Sequence, residues 1–214
     1  MQISKDRVKN ACYKHINPHL ELLDAEQDTE QCLPMMEPRI FSGFASQAAS
    51  DVAIILCQSL REQYRSLTRY FDTPRPELEV FDVGDSGVAS CEQWLREGLQ
   101  EFQGDLQRYG FEYQRFCQVA GQSRQAAWRA GVNVATAAFS MFEGITALMG
   151  TVAGSLVAGK RIDEQVRVEY ERFCRAQKVM LGSYDQAMSK LYRMADALLF
   201  QHYQRLTDAI RACQ

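Results

Sequence analysis

The sequence predicts an all-α fold, an elongated antiparallel helical bundle or coiled-coil hairpin of long amphipathic helices with one small-residue-rich apolar helix or hairpin tip. Three observations carry this reading. All five prolines (Pro18, Pro34, Pro38, Pro74, Pro76) precede residue 77, so the following 138 residues hold none of the strongest helix breaker. Two long stretches keep apolar residues at the 3.5-residue spacing of a coiled-coil seam. Between them lies a segment, residues 130–159, whose only charge is Glu143.

Composition sets the class. A chain of 214 residues, 46% hydrophobic and 24% charged, is long and apolar enough to bury a core. That excludes a wholly disordered polymer. A net charge of −3 argues against a nucleic-acid partner, which calls for a basic excess. Seven cysteines, at 12, 32, 57, 91, 117, 174 and 213, stand singly with no CxxC pair. They read as reduced core thiols in a cytoplasmic protein rather than a disulfide or zinc framework. The opening residues lack the apolar run of a secretory signal, and export by a route without such a signal would look the same.

The chain divides into residues 1–43, a short helix plus a loop and acidic segment, and residues 44–214, a helical bundle domain. Asp6 to His15 predicts one short helix ended near Pro18. Glu21 to Gln31, with five carboxylates, reads as a solvated helix face or a link, and Pro34 and Pro38 bracket a loop. Residues 44–72 predict a helix through Ala49, Val52, Leu56, Leu60, Tyr64, Leu67 and Phe71, spaced by three and four. Residues 73–89 form a Pro, Gly and acidic loop in which Leu78 to Val83 suggests a short strand.

Ser90-Cys-Glu-Gln93 fits a capping box, so the next helix is expected to start there. Its stripe, Leu95, Leu99, Phe102, Leu106, Tyr109, Tyr113, Phe116 and Ala120, steps by four and three alternately. Gly98, Gly104, Gly110 and Gly121 interrupt it, either to admit close packing or as soft points. Residues 161–213 resume the pattern with Val166, Tyr170, Phe173, Met180, Tyr184, Leu191 and Leu198, and Gly182-Ser183 is a place to kink. One hexapeptide recurs: Glu112-Tyr-Gln-Arg-Phe-Cys117 resembles Glu169-Tyr-Glu-Arg-Phe-Cys174. Folding the chain back at Glu143-Gly144 makes Tyr113 face Phe173, Phe116 face Tyr170, Phe102 face Tyr184, Leu106 face Met180 and Leu95 face Leu191. The rival is a compact bundle in which 126–158 is a separate central helix, with breaks at Gly121-Gln-Ser and Gly159-Lys.

The small-residue segment holds the candidate interaction residues. Thr136, Ser140 and Gly144 lie four apart, as do Gly150, Gly154 and Ala158. Such faces are nearly smooth and let another backbone approach closely, as in GxxxG contacts. The leading reading is a central core helix; an oligomer interface and reversible membrane insertion are the others. A helix of this length reaches across a bilayer, but Glu143 would then be expensive at mid-depth. Glu143 at an exposed tip or in an ion pair is the ordinary reading. A carboxylate in an apolar setting rises in pKa, which would suit insertion triggered by acid.

Other motifs are weak. Gly154-Ser-Leu-Val-Ala-Gly159-Lys160-Arg161 resembles a phosphate loop, but Arg161 replaces the magnesium-binding hydroxyl. The alternative is a helix end at Gly159. Cys12, His15 and His19 share a helical spacing suited to metal ligands, but Pro18 interrupts it and no fourth ligand follows. His202 reads as a satisfied core histidine, and Cys57, Cys117 and Cys174 as inert seam thiols. No catalytic set, cofactor site or metal site is expected. The functional expectation is a non-enzymatic helical protein that binds a protein partner or itself, with a membrane-inserting, pore-former-like protein as the alternative.

Overall fold

The computed structural model describes residues 5–25, 33–129 and 157–214. The described residues form seven helices and no strand. These are α1 (Lys5–Tyr13), α2 (Ile16–Ala25), α3 (Pro38–Thr68), α4 (Pro76–Glu79), α5 (Asp85–Glu97), α6 (Gln100–Arg129) and α7 (Val157–Ala212). The all-α expectation holds, and its long helices pack on one another.

Several boundaries move, and proline explains most of them. Pro18 lies in the first turn of α2, and Pro38 and Pro76 each open a helix. The first helical amides have no partner within the helix, so a missing N–H is harmless there. The expected strand at 78–83 is therefore replaced by the single turn α4 followed by bends. The capping box at Ser90 is not used. Gly84 precedes α5, which is already helical at Ser90, and the chain breaks instead at Gly98-Leu99 before α6. No break occurs at Gly182-Ser183: α7 runs unbroken over 56 residues. Both breaks required by the compact-bundle rival are also missing, because α6 continues through Gly121 and α7 through Gly159.

The chain forms two compact units. The first takes residues 1–19, 41–103 and 183–214; the second takes 20–40 and 104–182. In the first, α3 turns Ala45, Ala48, Ala49, Val52, Ala53, Leu56 and Leu60 inward, all buried. Small side chains at this spacing let neighbouring helices approach closely. Residues Leu33–Thr68 are the one stretch among the described residues long and apolar enough to cross a membrane; an 18-residue part of it has mean hydropathy 1.5 and is 44% buried. The buried side of this unit also takes Leu95, Leu99 and Phe102 from the α5–α6 region and Met188, Leu191, Ala195, Leu199 and Leu206 from α7. Phe102 meets Tyr184 edge-on at 5.5 Å. The Tyr184 hydroxyl donates to the Cys12 carbonyl at 2.9 Å, tying α1 to α7.

The second unit is an aromatic core. Phe116 stacks on Phe173 at 5.3 Å and meets Tyr170 at 5.5 Å. Tyr109 and Tyr113 lie 5.5 and 6.1 Å from Phe173. Rising numbers on α6 thus meet falling numbers on α7, and the two copies of the hexapeptide pack against each other. Three of the five facing pairs expected from the seams, Tyr113–Phe173, Phe116–Tyr170 and Phe102–Tyr184, are direct ring contacts. Burying such rings stabilises by roughly 2–3 kcal/mol each. The Tyr109 and Tyr113 hydroxyls reach the Met36 and Leu33 carbonyls, at 2.6 and 2.9 Å.

Candidate functional site

Ser140, Glu143, Gly144, Gly150 and Gly154 lie outside the described residues, and Ala158 is in the first turn of α7. Gly159 and Lys160 fall in the first turn of α7, so the helix starts here and does not end at Gly159, and Gly154 to Leu156 lie outside the described residues.

Cys12, His15 and His19 have different partners, all within the first unit. Cys12 is buried, with its sulfur 4.0 Å from the Met188 carbonyl; burial pushes its thiol up to about 12. His15 lies 3.1 Å from Asp51, which Lys14 also approaches at 3.6 Å. His19 packs edge-on against Phe41 and Phe44. Among the described residues no three His, Cys, Asp or Glu side chains gather to hold a metal ion. The His15–Asp51 pair has the form that orients a catalytic base, but no described hydroxyl or thiol hydrogen-bonds His15.

His202 is the polar hinge-pin of the first unit. Its Nδ1 is 3.1 Å from Gln63 Oε1 and its Nε2 is 3.0 Å from the Phe81 carbonyl. Gln63, itself buried, uses its amide nitrogen on the Leu199 carbonyl at 3.5 Å, which turns its oxygen toward the imidazole. This joins α3, α7 and the segment after α4, as expected for a satisfied histidine. Beside it lies an open groove of about 620 Å³, lined by Gln63, Arg193, Asp196, Phe200 and Tyr203 among others. Phe200 is 60% exposed and Tyr203 38%.

The second unit holds a buried carboxylate. Glu169, 5% exposed, lies 2.9 Å from Arg115 Nε and 3.2 Å from Arg172 Nη1. The Arg115 contact is an ion pair without hydrogen-bond alignment, since Glu169 Oε2 has no hydrogen-bond partner. Glu112, the equivalent residue in the other hexapeptide, likewise keeps one buried carboxylate oxygen without such a partner.

Sequence reasoning missed one chemical pair. Cys57, on the buried face of α3, and Cys91, on α5, hydrogen-bond to each other through their thiols. That contact lowers Cys91 to about 7, against the opposing effect of burial. The same contact, then burial, pushes Cys57 up. A thiolate that accepts a hydrogen bond from a neighbouring thiol is stabilised, as in dithiol redox sites. Cys117 and Cys174 differ: burial raises both, and they pair with Tyr113 and Tyr170. No sequence signal announces the Cys57–Cys91 contact, because the residues stand 34 positions apart on separate helices.

No family model matches the chain, and no curated protein or solved structure matches it significantly.

Proposed function

We propose that the protein is a non-enzymatic helical interaction protein that works through helix–helix contacts with a protein partner or a second copy of itself. The observation that carries this reading is the groove lined by Phe200 and Tyr203, large side chains left exposed to solvent beside the His202–Gln63 hydrogen bonds. Aromatic residues of this kind anchor interfaces, because they bury much area at little entropic loss. In this reading α6 and α7 act as an antiparallel coiled-coil hairpin, supported by the alternating heptad steps and the ring pairs. The free thiols of Cys12, Cys57, Cys91, Cys117, Cys174 and Cys213 support a cytoplasmic setting.

The test is solution mass by light scattering, together with binding of an apolar dye. Self-association or dye binding is expected, and Phe200→Glu is expected to weaken it. A strict monomer that binds no dye overturns the proposal.

A second reading, a membrane-active protein inserting residues 130–159, is supported by that segment's single charge and by the basic residues Lys160 and Arg161 after it. Flotation with anionic liposomes at neutral and mildly acidic pH is expected if it holds. Failure to float at either pH, with helicity intact, removes it.

A further inference from the structure

Beside its buried side, α7 carries a second stripe within the first unit. Ser189, Arg193, Asp196, Phe200, Tyr203 and Thr207 step by four and three alternately, the period at which one helix meets another. The four central residues line the groove, where Phe200 and Tyr203 are exposed large side chains. The charges in this stripe are arranged differently from those elsewhere on the helix. Glu164–Arg167, Glu169–Arg172 and Asp208–Arg211 each close an ion pair three residues apart, at 2.6, 3.2 and 3.4 Å. In all three the acid precedes the base, the favoured order along a helix. Arg193 and Asp196 have the same spacing in the opposite order. Among the described residues neither has an ion-pair or hydrogen-bond partner.

We propose that this stripe docks on a second copy of the chain, α7 against α7, antiparallel about a two-fold axis. This choice of partner rests on the interaction function proposed above. A two-fold contact uses the same patch on both copies, so the patch must complement itself. Opposite charges three residues apart on one face meet that condition in one antiparallel register. Arg193 then lies opposite the partner's Asp196, and Asp196 opposite the partner's Arg193, which gives two ion pairs. In the same register Phe200 falls opposite the partner's Ser189, a small side chain that leaves room for the ring. Tyr203 falls opposite the partner's Gln186, an amide that hydrogen-bonds a phenol. Ser189 and Gln186 are both exposed in the single chain. A parallel pair in register would set Arg193 against Arg193 and Asp196 against Asp196, with repulsion at both layers. The antiparallel contact therefore satisfies both open charges and covers both exposed rings together.

The experiment measures the mass of the full chain by sedimentation equilibrium over a concentration series, with dithiothreitol present so that free thiols form no link. A concentration-dependent dimer is expected. Arg193→Glu sets a carboxylate opposite the partner's Asp196, and Asp196→Arg sets a guanidinium opposite the partner's Arg193. The two-fold axis applies each change twice, so each variant alone is expected to dimerise at least about tenfold more weakly. Mixing the two variants puts opposite charges back at both layers, so a mixed dimer close to wild-type strength is expected. Far-UV circular dichroism checks that each variant keeps its helix, and the wild-type mass stands even if a variant folds poorly. A wild-type chain that stays monomeric, single variants that dimerise as the wild type does, or a mixture that recovers no dimer would each overturn the proposal. A monomer that still binds an apolar dye overturns self-pairing alone and leaves the interaction function standing. A monomer that binds no dye overturns both.

Discussion

At the scale of single residues, the second unit concentrates its stability in a few side chains. Phe173 is 1% exposed and touches the rings of Tyr109, Tyr113 and Phe116. Phe173→Ala is expected to lose about 3–5 kcal/mol, read as a lower urea midpoint with an unchanged slope. Glu169 is a different case. Its two arginine partners are about half exposed, so much of each ion pair is screened. Glu169→Ala is expected to lose only about 1–2 kcal/mol by the same measurement, since its hydrogen bond to Arg172 is charge-assisted. If Glu169→Ala proved as damaging as Phe173→Ala, the carboxylate would be doing more than closing off a buried face.

At the scale of the helix, the glycines separate into two kinds. A Cβ added at Gly98 would fall 2.8 Å from Met194 Sδ and 3.1 Å from the Leu95 carbonyl, whereas none would meet anything within 4 Å at Gly104 or Gly182. Gly104→Ala and Gly182→Ala are expected to gain about 0.5–1 kcal/mol each, raising the melting temperature by about 2–4 °C. Gly98→Ala is expected to lower it, because Met194 must shift. Much of this level is legible in sequence. The stripe from Leu95 to Phe116 falls on largely buried residues because burial imposes its period directly on side-chain type, whereas the later turns of α7 bury Ala195 and Leu199 instead of the expected Leu198. Helix ends are less legible: Pro18, Pro38 and Pro76 read equally well as stops and as starts, and only the packing of the turns around them decides. Ser90 fits a cap in sequence, yet Gly84 precedes the helix, since capping chemistry also occurs inside helices where nothing requires it. The Cys57–Cys91 contact depends on how two helices dock, which no local pattern encodes. Ser140, Glu143, Gly144, Gly150 and Gly154 fall outside the described residues.

At the scale of the whole molecule, the neutral phenols of both units tie stability to pH. Burial raises Tyr109 and Tyr184 above the ordinary 10, and burial also raises Tyr113, to about 12. In an unfolded chain each would ionise near 10. The folded form thus holds these protons more tightly. Their stabilisation is complete below pH 10 and is lost as pH climbs through 10 toward 12 and beyond. Far-UV circular dichroism is expected to show a steady helical signal up to about pH 10 and a cooperative loss above it. Tyr113→Phe is expected to move that loss to higher pH. Unchanged helicity at pH 12 would show that these hydroxyls are freer to ionise than their buried positions imply.

The inward face of α3 has a consequence for how this chain can vary. Ala48, Ala49 and Ala53 are fully buried, and Ala45 nearly so. A side chain larger than a methyl group at such fully buried positions must displace whatever packs on them. Deep mutational scanning should therefore find these unassuming alanines less forgiving than the conspicuous aromatics on the outside, such as Phe111 and Tyr70. The sites least able to drift would be those with the least side chain to lose.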